Sequence, residues 1–110
     1  MADVRLILTT VDSAEAAREL AARLVEGRLA ACVNVVPGVQ STYRWRGSVE
    51  TAAEWLLLVK TTATGVDDCL KALADHHPYD VPEGLVFDAA GGLPTYLAWV
   101  GEAVGGEGRE

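Results

Sequence analysis

The stretch "LAACVNVVPGVQSTYRWRGSVETAAEWLLLVKTT", Leu29 to Thr62, decides the fold. Two extended runs rich in β-branched and aromatic residues flank Arg46-Gly47, so the stretch reads as one long β-hairpin. On the first arm Ala31, Val33 and Val35 alternate with Cys32, Asn34 and Val36 until Pro37-Gly38 interrupts. Proline has no N–H to give a ladder, so this arm must lie at a sheet edge or carry a bulge there. On the second arm Val49, Thr51, Ala53, Trp55, Leu57 and Val59 share one face.

The flanking segments complete the pattern. Upstream, "VRLILTTV" (Val4 to Val11) is a strand predicted to sit mid-sheet with both faces buried. Asp12, three residues before Glu15, resembles a capping box for the helix "AEAARELAARLVE", whose Ala16, Leu20 and Leu24 make the apolar face and which Gly27 should end as a C′ glycine. Downstream, Thr64 is a candidate N-cap for "VDDCLKALADHH", with Val66, Leu70 and Leu73 as its stripe, and Pro78 forces His77 out of helical geometry. A short strand in "GLVFDAA" and a last helix opened by Pro94, "PTYLAWVGEAV", follow. The order strand, helix, strand, strand, helix, strand, helix is an α+β fold of the ferredoxin-like, split-βαβ kind: an antiparallel sheet with a long β-hairpin and a C-terminal helix. We expect one domain over residues 1–104 and a disordered tail over 105–110, "GGEGRE".

The hairpin is too long for that sheet. Each arm can run about 13 residues, roughly 40 Å at ~3.3 Å per residue, where the first strand is much shorter. Its far end carries Tyr43, Trp45 and Val49. A two-stranded ribbon bearing such groups is marginal alone in water, so either it bends back at Pro37-Gly38 onto its own domain or other copies of the chain cover it in a closed homo-oligomer.

Composition narrows the function. The chain has 110 residues, half of them hydrophobic, and a net charge of −7. That charge opposes binding to nucleic acid or to an anionic membrane. The longest apolar run, "WLLLV" at Trp55 to Val59, has strand length, and "MADVRL" lacks the layout of a secretory signal, so a cytoplasmic protein is expected. Cys32 and Cys69 make no disulfide framework and no C-x-x-C pair, and both read as packing residues. Trp45 and Trp55 read as interface anchors.

The richest stretch in donor groups is "HHPYDVPE", His76 to Glu83. Imidazoles and carboxylates suit copper or zinc, yet adjacent histidines on a helix point about 100° apart, so a surface Cu(II) site at His76 or His77, or a site shared across an interface, fits better than a closed site in one subunit. The same residues also make a rigid corner, with Pro78 stopping the helix and Val81-Pro82 stiffening the path to the next strand. No nucleophile elbow, Walker loop or glycine fingerprint accompanies them, and no enzyme activity or organic cofactor is expected.

Taken together, "RLAACVNVVPGVQSTYRWRGSVE" (Arg28 to Glu50), "EWLLLVKTT" (Glu54 to Thr62), "HPYDVPE" (His77 to Glu83) and "YLAWV" (Tyr96 to Val100) resemble the CutA family of divalent-cation tolerance proteins, in its order and spacing. The resemblance implies a ferredoxin-like subunit assembled as a homotrimer through its hairpins, with a role in tolerance of copper and other divalent metals. It implies Cys32 and His77 as metal contacts, and Lys60, Glu54, Tyr79 and Glu83 near clefts between subunits, which Trp45 also borders. Two departures stand out: Asp80 replaces a glutamate, shortening one carboxylate, and "EGLVFDAAGG" is richer in glycine and acid than the family's strand. Two other readings stand beside this one. One is a trimeric sensor like the P-II signalling proteins, holding a small metabolite between subunits, although their glycine-rich phosphate segment is missing; the other is a purely structural scaffold.

Overall fold

The computed structural model describes residues 3–105. Seven elements follow in the expected order: β1 (Val4–Val11), α1 (Ala14–Glu26), β2 (Cys32–Trp45), β3 (Ser48–Thr62), α2 (Val66–His76), β4 (Leu85–Asp88) and α3 (Pro94–Ala103). The four strands form one antiparallel sheet in the order β2-β3-β1-β4. This is the ferredoxin-like arrangement, with β1 inside the sheet and β2 at its edge.

Alternation along the strands divides the sheet into two unlike faces. Ile7 and Val11 of β1 and Leu57 and Val59 of β3 point to the same side and pack with Ala17, Leu20 and Leu24 of α1 and Cys69 and Leu73 of α2, forming the main core. Val4, Ala31, Val100 and Val104 make a smaller cluster at one end, where α3 packs against β1 and β3. Beyond Val4, which α3 covers, the opposite face is open. Leu6, Leu8, Leu56 and Leu58 on it are only partly buried, and Leu85 and Phe87 are 55% and 47% exposed. The expectation that β1 is buried on both faces is therefore met on one face and, on the other, only at Val4, which Val100 and Val104 of α3 cover.

Local details depart from expectation in three places. The N-cap of α1 is Ser13, whose hydroxyl accepts from the Ala16 N–H, and not Asp12. Gly27 closes that helix with an ordinary negative φ, and the left-handed residue is Arg28, at φ 58°. Space is tight at 27, since a Cβ there would stand 3.0 Å from the Arg23 carbonyl oxygen. For α2 the N-cap is Gly65 and not Thr64; the Gly65 N–H is satisfied by the Thr62 hydroxyl. His77 leaves helical geometry before Pro78, at ψ 141°. Of the expected tail, only Gly105 falls among the described residues, and its N–H donates to the Arg28 carbonyl.

The hairpin does overhang the sheet. β3 pairs with β1 only from Trp55 to Thr62, whereas its pairing with β2 continues to Trp45 opposite Ser48. Residues 39–45 and 48–54 thus form a two-stranded ribbon about 23 Å long at ~3.3 Å per residue. Arg46 and Gly47, at φ 50° and 85°, supply the two left-handed positions of the tight turn that matches strand twist. The ribbon does not fold back, and the molecule extends 44 Å along its long axis against 27 and 21 Å across.

Candidate functional site

The site starts at the interruption in β2. Val36 pairs with Leu56 and Val39 with Glu54, so Pro37 and Gly38 together oppose Trp55 alone. One extra residue is a β-bulge, which Gly38 enables by adopting φ 76°. The bulge inverts the side-chain alternation of everything beyond it. Val39, Ser41, Tyr43 and Trp45 therefore share the face of Glu54 and Glu50, while Val49 stays on the other. Without the bulge, Tyr43 and Trp45 would point away from both carboxylates. Trp55 is also on the other side, half-buried and packed against the main core.

The second half of the site is the "HHPYDVPE" corner. This segment leaves α2 on the helix-covered face and must pass the end of β1 to reach β4, which pairs with β1 at the sheet's edge. His77 fixes the crossing. Its Nδ1 accepts from the Tyr79 N–H at 3.1 Å, and its Nε2 lies 3.0 Å from both the Thr10 carbonyl oxygen and the Thr9 hydroxyl. An amide N–H can only donate, so Nδ1 keeps its lone pair and the proton of the neutral ring sits on Nε2, donated to Thr10. Burial holds His77 below its ordinary pKa, partly opposed by the Thr10 carbonyl and by the charges of Asp12 and Glu54.

From that latch Tyr79 reaches across to the ribbon, where its hydroxyl donates to Glu54 Oε2. Glu54 is 7% exposed, and among the described residues no fully buried side-chain oxygen or nitrogen is left without a partner. Burial, followed by the Glu54 carboxylate, raises the Tyr79 phenol well above its usual pKa. Glu83 is likewise raised, by burial and then by Glu54, against a hydrogen bond from the Thr10 hydroxyl. Between corner and ribbon opens a cleft of about 510 Å³, lined by Tyr43, Trp45, Glu50 and Glu54 on one side and Tyr79, Asp80 and Glu83 on the other.

Of the residues expected at a cleft, Trp45, Glu54, Tyr79 and Glu83 meet here. Lys60 does not. It lies six positions from Glu54 along β3, about 20 Å away, where its ammonium donates to Asn34 Oδ1 and lies 3.9 Å from Cys32 Sγ. The expected metal contacts are also dispersed. Cys32 sits beside Lys60 outside both cores, His77 has both ring nitrogens engaged, and His76 is exposed at the end of α2. Among the described residues no three His, Cys, Asp or Glu side chains are grouped to hold a metal ion. Sequence reading missed Glu50 and Thr10 as site members; counting the one-residue slip at Pro37-Gly38 would have placed Glu50 with Tyr43.

The class is thus a ferredoxin-like sandwich whose overhanging hairpin and latched corner enclose an acidic, aromatic cleft. Residues 5–103 match the family described as CutA1 divalent ion tolerance protein. The chain belongs to that family. It is 48% identical over 100 residues to the Divalent-cation tolerance protein CutA of Thermus thermophilus, covering 91% of this chain and 97% of that one. The CutA of Pectobacterium atrosepticum is 40% identical, with 91% of each chain covered. Among solved structures, CutA from Xylella fastidiosa superposes with a TM-score of 0.92 at 42% identity, over 94% of this chain and 99% of that one. The Thermus thermophilus Cut A1 structure gives 0.90 at 47% identity, over 93% and 99%. These relatives are named as tolerance proteins and not as enzymes. Plant relatives from rice and Arabidopsis are described as chloroplastic, and an Archaeoglobus fulgidus structure as periplasmic. Among the described residues no helix is long and apolar enough to cross a membrane.

Proposed function

We propose that this chain acts as a homotrimer in the cytoplasm, in tolerance of or response to divalent metal ions including copper, with no catalytic step and no organic cofactor. The observation that carries the metal role is its 48% identity, over nearly its whole length, to a divalent-cation tolerance protein. Assembly is supported by the open sheet face and the ribbon, which leave Leu85, Phe87, Trp45 and Tyr43 exposed together with Trp99 of α3. A monomer rarely keeps so much apolar surface in water, and a second and third copy are the simplest cover. The chain's partners are accordingly itself and metal ions. Direct copper binding would use His76, which is exposed, whereas His77 or Cys32 would first have to give up its present surroundings.

The test combines growth and titration. A strain lacking the gene should lose copper tolerance and regain it on expression of this chain; purified protein should take up Cu(II), and His76→Ala should abolish that uptake more fully than His77→Ala. Unchanged growth on copper in the deleted strain would refute the role. A second reading, a sensor for a small metabolite, is favoured by one observation, the 510 Å³ cleft, which lies in the size range of small-molecule sites.

A further inference from the structure

Cys32, Asn34 and Lys60, at the end of the sheet far from the ribbon, belong neither to the cleft nor to the two cores. Cys32 and Lys60 stand directly opposite each other in the ladder of β2 and β3, where facing Cβ atoms come within about 5 Å. Asn34, two residues further along β2, points to the same face and accepts from the Lys60 ammonium through Oδ1. The ammonium is thereby held over Cys32 and donates to its sulfur at 3.9 Å. Register and a third side chain together pair this thiol with a primary amine.

Cys32 is half-buried and opens β2, an edge strand, so a molecule as small as hydrogen peroxide can reach it. A sulfenic acid formed on a protein thiol is resolved by a second thiol, is displaced by a nitrogen to give a sulfenamide, or is oxidised further. The chain's other thiol, Cys69, is fully buried in the main core on the opposite side of the sheet. The Lys60 nitrogen, by contrast, is already in contact with the sulfur, and the four-carbon stem of lysine is flexible enough to close the gap without moving the strands.

We propose that Cys32 and Lys60 form a reversible sulfur–nitrogen bridge when the protein meets hydrogen peroxide. Peroxide transfers one oxygen to Cys32 Sγ, giving a sulfenic acid and water. The Lys60 amine, once its ammonium has released a proton to solvent, attacks that sulfur with its lone pair; the S–N bond forms, the S–O bond breaks, and the hydroxyl leaves as water with a second amine proton. Thiol, ammonium and peroxide thus give sulfenamide, two waters and one proton, with sulfur oxidised by two electrons and peroxide reduced by two. The bridge pins the first residue of the edge strand to β3 and replaces the Lys60 charge by a neutral nitrogen. It forms within one chain and needs neither a metal nor a residue of a second copy.

The test is peptide mapping of the purified protein after excess hydrogen peroxide, with a chelator present, at about pH 9, where thiols and amines in general react as thiolate and free amine. Free thiols are then blocked and the chain is cut with trypsin. A bridged Lys60 resists cleavage, so residues 29–44 should appear joined to residues 47–71, two hydrogens lighter than the sum of the two peptides, with fragment ions placing the link between Cys32 and Lys60. Dithiothreitol before digestion should abolish the joined peptide. Cys32→Ser and Lys60→Arg, which keeps the positive charge but not the primary amine, should each lose it. Should either variant misfold, the fragment ions of the wild type decide alone. Cys32 recovered unmodified, as a sulfinic or sulfonic acid, or in a disulfide with Lys60 still cleaved, would overturn the proposal, as would the same joined peptide in Lys60→Arg. Because the chelator removes metal from the reaction, failure here leaves the metal role standing, and loss of that role leaves this bridge standing.

Discussion

His77 is the residue on which the corner hangs, and His77→Ala is the perturbation that measures it. The imidazole accepts from the Tyr79 N–H and donates from Nε2 to the Thr10 carbonyl, with the hydroxyl of the fully buried Thr9 also at 3.0 Å. Truncation strands three polar groups, one of them without access to water. At about 1 kcal/mol net per hydrogen bond, and about 1–3 kcal/mol for a buried group left unsatisfied, the loss comes to about 2–4 kcal/mol. His77→Gln, which can donate to Thr10 but cannot also accept from Tyr79, should recover about half of it. Guanidinium unfolding at pH 8 and fixed protomer concentration reads this directly. The same variant carries a pH signature. Burial sets the folded-state pKa of His77 below 6.5, so on acidification the unfolded chain takes up its proton first. The contribution of His77 is complete above about pH 6.5 and declines below it, by at most about 1.4 kcal/mol per pH unit, until the folded pKa is passed. His77→Ala should lose that slope. A cost below about 1 kcal/mol, or an unchanged slope, would refute the latch.

Other perturbations test neighbouring parts. Glu83 is raised above 4.5 by burial and by Glu54, so the folded chain takes up this proton first, and the carboxylate opposes folding at neutral pH but not once it is protonated. Glu83→Gln should therefore raise the melting temperature at pH 7.5 and lose that advantage near pH 4. Gly65→Ala puts a Cβ 2.8 Å from Val104 Cγ1, in an otherwise ordinary conformation, and should cost about 1–3 kcal/mol by chemical denaturation. Gly38→Ala meets nothing within 4 Å but must hold φ 76°, so it should cost about 1–2 kcal/mol. It should also weaken the bulge that aims Tyr43 and Trp45 at the face of Glu50 and Glu54.

The fold was largely legible because its punctuation is strong. Pro78, Pro94 and Arg46-Gly47 mark boundaries that periodicity then fills, and each marks a boundary in the structure, while Pro37-Gly38 marks the bulge inside β2. Finer matters were not legible. A capping hydroxyl at Ser13 and a carboxylate at Asp12 are equally good candidates in sequence, and only backbone geometry chooses. The apolar run in β1 looks the same whether its second face is covered by the chain itself or left open, as Leu6 and Leu8 are. For the site, residue types and a family resemblance gathered Trp45, Glu54, Tyr79 and Glu83, but parity along β3 could not exclude Lys60, which shares their face far down the strand. The one-residue slip at Pro37-Gly38 hid Glu50 by reversing which side chains of β2 it meets.

A ribbon and an open sheet face that one chain does not cover call for further copies of the chain. Sedimentation equilibrium at submicromolar concentration measures this directly. We expect a single species at three times the 11.7 kDa of one chain, with Trp45 emission shifted to the blue as its surroundings dry. A stable species of single-chain mass, with Trp45 emitting as in water, would contradict it.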